Sequence, residues 1–144
     1  WNDPVKGSEL TKAQISQGAD VVYAAAGGTG VGVLQTAADE NILSIGVDSN
    51  QNHLHPGKVL TSMLKRVDVA VYNSMMAGAD LETGGFTTLG LAEEGVGWAL
   101  DENNESLISA EMKAAVNEAR EKIISGDLEV ASYYANDSCP AYDF

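Results

Sequence analysis

Short apolar runs alternate with stretches of helical periodicity through most of the chain. Three runs rich in small and β-branched apolar residues predict buried strands at residues 20–26, 42–47 and 59–64. Apolar residues at helical spacing predict helices at residues 4–17, 29–39, 67–78 and 109–125. Strand, glycine turn, helix and strand form a βαβ unit, whose strands are parallel with a right-handed crossover. The pattern therefore predicts an α/β fold with a mostly parallel sheet flanked by helices.

Local signals place the ends and faces of these helices. Asp3 and Pro4 form a good helix start, and Ser109 is the expected cap of the last helix, with Gly126 past its end. In the second helix the recurring apolar residues are Val31, Leu34 and Ala38. In the third they are Val67, Ala70, Val71, Ser74, Met75 and Gly78. We expect the third stripe to lie against the sheet, with Met75 and Met76 as core filler.

The region after residue 80 predicts further β-structure and an irregular end. Runs at residues 86–91 and 96–100, joined by a turn at 92–95, predict a β-hairpin. Trp98 is expected in the core, with the lining of a pocket as the alternative. Residues from Asp127 onward offer one weak strand and then a tail.

Composition and charge narrow the classes of function. The 144 residues suffice for one hydrophobic core and not for two large ones. Eight basic against 21 acidic residues give a formal net charge of −13, which excludes nucleic acid as a partner because it repels a phosphate backbone. No apolar run approaches the roughly 20 residues that span a bilayer. Cys139 is the single cysteine, so no internal disulfide forms.

A glycine-rich run follows the first predicted strand. Residues 27–32 read Gly-Gly-Thr-Gly-Val-Gly, and glycines at a strand-to-helix turn let backbone amides approach a ligand closely. The run lacks the spacing of a dinucleotide fingerprint and the Lys-Ser/Thr of a P-loop, which disfavours a dinucleotide or triphosphate. Tight packing of the strand against the helix is the alternative reason for these glycines.

Two charged residues follow neighbouring strands of the predicted sheet. Asp48 and Lys65 lie at carboxyl ends of strands, the edge where open α/β sheets bind ligands. A carboxylate and an ammonium there suit a neutral ligand rich in hydroxyl groups better than a phosphate. An ordinary surface ion pair is the alternative. His53 and His55 lack a further ligand at suitable spacing and no Ser, His and Asp set fits a nucleophile elbow, so we expect no metal, cofactor or catalytic residue.

Four blocks of the chain, in this order and with this spacing, match a known family. The blocks are WNDPVKG at 1–7, GADVVYAAAGGTGVG at 18–32, IGVDSNQ at 45–51 and LTSMLKRVD at 60–68. Together they resemble the basic membrane protein family, the nucleoside-binding lipoproteins of ABC importers. The resemblance extends from Trp1 to about Val130. Asn50 departs from it, because many relatives carry a second Asp there.

The resemblance implies the architecture of a type I periplasmic binding protein, whose two α/β lobes close on a ligand between them. Residues 1–130 would form the carboxyl-terminal lobe and residues 131–144 a tail, with the amino-terminal lobe and the lipid-anchoring cysteine absent from this chain. Family members bind purine nucleosides, with an aromatic sandwich for the base and a carboxylate and a lysine for the ribose. The residues at matching positions are Asp48 and Lys65 for the ribose, Gly27 and Gly28 for backbone approach, and Tyr23 for the base, where packing in the core is the alternative.

The function implied by the resemblance is transport without chemistry. The complete protein would capture a small-molecule nucleoside outside the cytoplasm by hinge closure and deliver it to an ABC permease in the membrane. It would be anchored by lipid in the periplasm or at the cell surface. Two alternatives remain, a nucleotide-dependent α/β enzyme that uses the loop at residues 27–32 and a sensor domain of the same fold.

Overall fold

A four-stranded sheet with flanking helices is the main feature of the computed structural model, which describes residues 1–80 and 84–131. The elements follow in the order α1 (Pro4–Ser16), β1 (Val21–Tyr23), α2 (Gly30–Asp39), β2 (Leu43–Asp48), β3 (Val59–Lys65), α3 (Val67–Ala77), β4 (Val96–Trp98) and α4 (Ala110–Ser125). Strand order is β1-β2-β3-β4; the first three strands are parallel, and β4 is antiparallel to β3. The α/β class predicted from the sequence is confirmed.

The chain divides into two compact units, Trp1–Ser109 and Ala110–Phe144. The first contains the sheet and the second contains α4. The division into a lobe at residues 1–130 and a tail at 131–144 stays a prediction. Most of that tail, with Cys139, lies outside the described residues.

Helices α1 and α2 pack closely because glycine lies where they meet. The Asp3 carboxylate caps α1 by accepting from the Lys6 amide at 2.9 Å, and Pro4 occupies the first turn, as the sequence predicts. A Cβ on Gly32 of α2 would overlap the carbonyl oxygen of Pro4. A Cβ on Gly7 of α1 would lie 2.5 Å from the Thr29 carbonyl oxygen. Larger side chains at these two positions would push the helices apart.

The buried apolar core joins β1 to α2. Its members are Val22, Ala24, Val33 and Ala37, with Ala19 and Ile42 packed against them. Leu34 is also buried, as its place in the predicted stripe requires, but Val31 is exposed. The buried face of α2 is therefore rotated toward Val33 and Ala37, because these residues meet Val22 of the sheet.

The predicted β-hairpin is wrong. Residues 86–91 form no strand, and β4 pairs instead with β3, in the register Lys65 to Val96 and Met63 to Trp98. Without β4, β3 would be an edge strand with a row of unpaired backbone groups. β4 pairs with these groups instead of with residues 86–91, the local partner that the sequence pattern favoured. The turn before β4 is closed by the Gly95 amide, which donates to the Gly90 carbonyl at 2.9 Å. Trp98 is half-buried.

Helix α3 forms as predicted, but its expected packing is wrong. None of its residues is buried, and the side chains of Met75 and Met76 are 76% and 68% exposed, so neither is core filler. A single residue, Arg66, joins β3 to α3. Loops between strands and helices in α/β units usually have two to six residues, so this connection is unusually short and leaves little chain for the turn that would bring the helix onto the sheet.

Helix α4 agrees closely with the predicted span. It ends before Gly126, whose φ of +84° is the left-handed conformation in which glycine commonly terminates helices. Lys122 Nζ lies 2.6 Å from Glu118 Oε1 one turn away. This hydrogen bond and the charge of Lys122 lower the pKa of Glu118.

Candidate functional site

Asp48 and Lys65 meet at the carboxyl ends of β2 and β3. The parallel register sets Asp48 opposite Leu64, so Lys65 follows one residue further along the neighbouring strand. Lys65 Nζ lies 2.9 Å from Asp48 Oδ1. Their side chains remain 51% exposed for Asp48 and 60% exposed for Lys65. The juxtaposition expected from the sequence is present, and we call these two residues the edge pair.

The backbone at Asp48 adopts a conformation that few residue types tolerate. Its φ is +69°, in the left-handed region, where Asp and Asn are enriched and bulky or β-branched residues are rare. The amide of Ser49 donates to the carbonyl of Val47 at 2.9 Å, so the chain turns sharply as the strand ends. This turn separates the Asp48 side chain from the regular alternation of β2.

The loop that joins β2 to β3, residues 49–58, is held by buried polar side chains. Gln51 Oε1 accepts from the Val47 amide at 2.9 Å, and the Gln51 amide donates to Ser62 Oγ at 3.0 Å. Ser62 Oγ in turn donates to Asn52 Oδ1 at 2.8 Å, and both of these residues are fully buried. A Cβ on Gly46 would lie 2.6 Å from Ser62 Oγ, so glycine leaves room for this contact.

The loop is also tied to the segment that follows β4. Asp101 accepts hydrogen bonds from Asn50 and Asn52 of the loop and from Asn103. These hydrogen bonds, above all that from Asn50, lower the pKa of Asp101 below its ordinary value. Sequence analysis missed this network, because Asp101 lies 51 positions from Asn50 and 49 from Asn52 and belongs to none of the four blocks that carry the resemblance.

The glycine run packs against the start of the chain. Gly27 has a φ of +55°, and a Cβ there would lie 3.4 Å from Cε3 of Trp1. A Cβ on Gly28 would overlap the amide oxygen of Asn2. Thr29 Oγ1 accepts from the Asp3 amide at 2.8 Å. Close packing within the chain therefore accounts for small residues here, and the role of Gly27 and Gly28 in ligand approach stays a prediction.

Four aromatic residues are exposed in the described part of the unit that contains the sheet, namely Trp1, Tyr23, Tyr72 and Phe86. Tyr23 is 53% exposed at the end of β1, which removes core packing as its explanation. Its neighbour Val22 is buried in the core, so Tyr23 points to the opposite face of the sheet. Trp1 is 90% exposed and lies beside Gly27. Sequence analysis did not consider Trp1 for base stacking, because 26 positions separate it from Gly27 in the chain and the fold brings the two together.

Other features of the described residues lie apart from the edge pair. An open groove of about 490 Å³ between α1 and α2 is lined by none of the five predicted site residues. Within residues 1–80 and 84–131, no three His, Cys, Asp or Glu side chains are grouped in a way that could hold a metal ion. None of the helices described has the length and apolar character required to cross a membrane.

Comparison with known proteins places the chain in a family. The model of the PnrA-like ABC transporter substrate-binding proteins matches residues 1–132. Basic membrane protein D of Borreliella burgdorferi is 37% identical over 94 residues, which cover 62% of this chain and 28% of the relative. The ABC transporter nucleoside-binding protein BmpA of Lactococcus lactis is 32% identical over 151 residues, with 92% of this chain and 42% of the relative covered.

The solved structures agree with that placement. A crystal structure of an ABC transporter solute-binding protein from Aeropyrum pernix superposes with a TM-score of 0.76 at 29% identity, covering 94% of this chain and 46% of that one. The chain thus spans less than half the length of each of these relatives. Because the family model matches residues 1–132 of the 144, the chain belongs to the PnrA-like family of ABC transporter substrate-binding proteins.

Proposed function

We propose that this chain is the carboxyl-terminal ligand-binding lobe of a solute-binding protein that serves an ABC importer, with a nucleoside as ligand and purine nucleosides as the first candidates. The observation that carries the proposal is the edge pair, an exposed carboxylate and ammonium 2.9 Å apart at the ligand-binding edge of the sheet. A nucleoside as ligand is supported by the similarity to the nucleoside-binding protein of Lactococcus lactis.

The chemistry of the edge pair fits a ribose. The Asp48 carboxylate accepts hydrogen bonds from sugar hydroxyls, and the Lys65 ammonium donates to a sugar oxygen. Asp48 also offsets the charge of Lys65, so a phosphate group would gain little from the lysine and be repelled by the carboxylate. A neutral nucleoside is therefore favoured over a nucleotide.

The remaining predicted residues complete the proposed site. Gly27 and Gly28 would let the backbone approach the ligand at the end of β1. An aromatic side chain would stack on the base, and its large flat surface supplies most of the apolar contact. Trp1 is the stronger candidate for this role, because it is more exposed than Tyr23 and lies beside Gly27. Tyr23, on the face of the sheet opposite the core, is the second candidate.

The proposed cycle is binding and release without a chemical reaction. A second lobe closes over the nucleoside, and the closed protein delivers it to a permease in the membrane. Extracytoplasmic location and a lipid anchor in the complete protein are supported by the lipoproteins among its relatives, such as that of Pyrococcus furiosus.

Calorimetry with nucleosides tests this proposal. We expect the complete protein to bind a purine nucleoside and to leave it chemically unchanged when the mixture is analysed by chromatography. The isolated 144-residue chain should bind weakly or not at all, because the second lobe is needed to enclose the ligand. Submicromolar binding by the isolated chain would contradict the closure step, and turnover of the nucleoside or tighter binding of its phosphate would indicate an enzyme instead.

A further inference from the structure

The Asp101 carboxylate joins two segments that are far apart in the sequence. Its Oδ2 atom accepts from Asn50 Nδ2 at 2.6 Å and from Asn52 Nδ2 at 3.1 Å, both in the loop after β2. Its Oδ1 atom accepts from the amide and side chain of Asn103, at 2.8 and 3.0 Å. One carboxylate oxygen therefore holds the loop, and the other holds the segment after β4.

The segment that carries Asp101 is itself firmly attached to the sheet. Asn104 is fully buried, and its Oδ1 accepts from the Asp101 amide at 2.8 Å. Its side-chain amide donates to the carbonyl oxygens of Leu60, at 2.9 Å, and Ala99, at 3.0 Å. Asp101 is thus fixed relative to β3, the strand that ends at Lys65.

The loop held by Asp101 begins directly after Asp48. Asp48 has a φ of +69°, which an isolated chain would leave for an extended conformation unless the following residues were restrained. Asn50 supplies such a restraint twice, since its Nδ2 donates to Asp101 and its Oδ1 accepts from the Asn52 amide at 3.0 Å.

The geometry points to Asp101 as a positioning residue for ligand binding: by holding the loop at residues 49–52, its carboxylate keeps Asp48 in the conformation that faces Lys65. This inference rests on the proposed function, in which the edge pair binds the ribose. It adds a residue that lies 53 positions from Asp48 and whose side-chain hydrogen bonds go to Asn50, Asn52 and Asn103 instead of the edge pair.

A pair of alanine variants in the complete protein separates this role from a general contribution to folding. Asn50→Ala removes the hydrogen bond from the loop to Asp101 together with the one that Asn50 Oδ1 accepts from the Asn52 amide, and we expect nucleoside affinity to fall about threefold to tenfold. Asn103→Ala is the control, since it removes a side-chain hydrogen bond to the same carboxylate and keeps the backbone hydrogen bond that the Asn103 carbonyl accepts from the Gly57 amide of the loop at 2.9 Å. Its affinity should stay within about twofold of the parent protein. Asn50 is exposed, so its variant is expected to fold.

The same measurement of nucleoside affinity in an Asp48→Asn background distinguishes a positioning role of Asp101 from a general structural role. If Asp101 acts through Asp48, Asn50→Ala and Asp101→Asn weaken binding in the parent protein and have little further effect once Asp48 is replaced. Equal losses in both backgrounds would overturn the inference, as would full affinity in Asn50→Ala. If Asp48→Asn alone leaves nucleoside affinity unchanged, the ribose assignment in the proposed function fails instead.

Discussion

Replacing Asp48 by Asn should leave the fold nearly as stable while weakening nucleoside binding strongly. The amide has almost the same shape as the carboxylate, and Asn tolerates the φ of +69° about as well as Asp. The two side chains of the edge pair are 51% and 60% exposed, so solvent screens their attraction. An exposed pair of this kind contributes about 0 to 1 kcal/mol, and the free energy of unfolding should fall by no more than that.

The expected effect on binding is larger. A hydrogen bond to a charged group contributes about 1.5 to 3 kcal/mol, which corresponds to about a tenfold to 150-fold increase in Kd for the nucleoside. Titration calorimetry on the complete protein measures this change, and thermal unfolding without ligand measures stability. Glu9→Gln is the matched control, because it removes the same charge from a similarly exposed ion pair, that with Lys6 at 3.0 Å on α1.

Three results would refute this reasoning. Unchanged nucleoside affinity in a folded Asp48→Asn protein would remove Asp48 from the binding site. A loss of more than about 2 kcal/mol in unfolding free energy would show that the edge pair is a structural element instead of a solvent-screened pair. A large loss of affinity in Glu9→Gln would mean that net charge, and not the position of Asp48, controls binding.

Three further predictions concern stability. Gly32→Ala should lower the free energy of unfolding by about 1 to 3 kcal/mol, because the new Cβ overlaps the Pro4 carbonyl. Gly97→Ala is the control: its Cβ meets no atom within 4 Å, so the free energy of unfolding should change by less than about 1 kcal/mol. Urea titrations measure both changes. Because the pKa of Asp101 is lowered, the ionised carboxylate contributes to stability above its ordinary pKa of 3.8, and this contribution is lost as pH falls below that value. Asp101→Asn should therefore reduce the decrease of the free energy of unfolding below about pH 4, the acid limb of a stability–pH profile. Met75→Gln should change the stability of the 144-residue chain by less than about 0.5 kcal/mol in thermal unfolding, because the side chain is 76% exposed.

Each of these predictions has an outcome that contradicts it. Equal stability losses in Gly32→Ala and Gly97→Ala would show that the close approach of α1 and α2 is not rigid. An unchanged acid limb in Asp101→Asn would mean that the network around this carboxylate is equally stable when protonated. A loss above about 1 kcal/mol in Met75→Gln would show that α3 packs against other residues of the chain.

The layout of the sheet could be predicted because it depends on local signals. Strands β1 to β3 are short apolar runs, and βαβ connectivity makes β1 and β2 parallel. Strand β3 follows β2 through the loop at residues 49–58, without a crossover α-helix, and is also parallel to β2. Parallel strands bring their carboxyl ends to one edge. Because β3 is the parallel neighbour of β2, the same rule brings Asp48 and Lys65 together without knowledge of any side-chain conformation.

The predictions that failed depend on choices between partners. β4 has the pattern of a hairpin strand, yet nothing local shows that β3 offers it a better edge than residues 86–91. Helix α3 has an apolar stripe, but a stripe does not say whether its connection permits contact with the sheet. The hydrogen bond from Asn50 to Asp101 spans 51 positions and follows no periodicity. Long-range polar contacts of this kind leave no pattern in a single sequence.

The exposure of the edge pair bears on how binding and closure are coupled. A buried ion pair that loses a partner leaves a charge without solvation, which costs about 3 to 5 kcal/mol, so a ligand could not easily compete for it. Asp48 and Lys65 are half-exposed, and ribose hydroxyls would replace water around them without breaking the pair. Closure of a second lobe would then exclude the remaining water and lower the local dielectric, which strengthens each hydrogen bond to the ligand. The weak binding expected of this chain alone follows from the same physical cause, since its edge pair stays in contact with solvent.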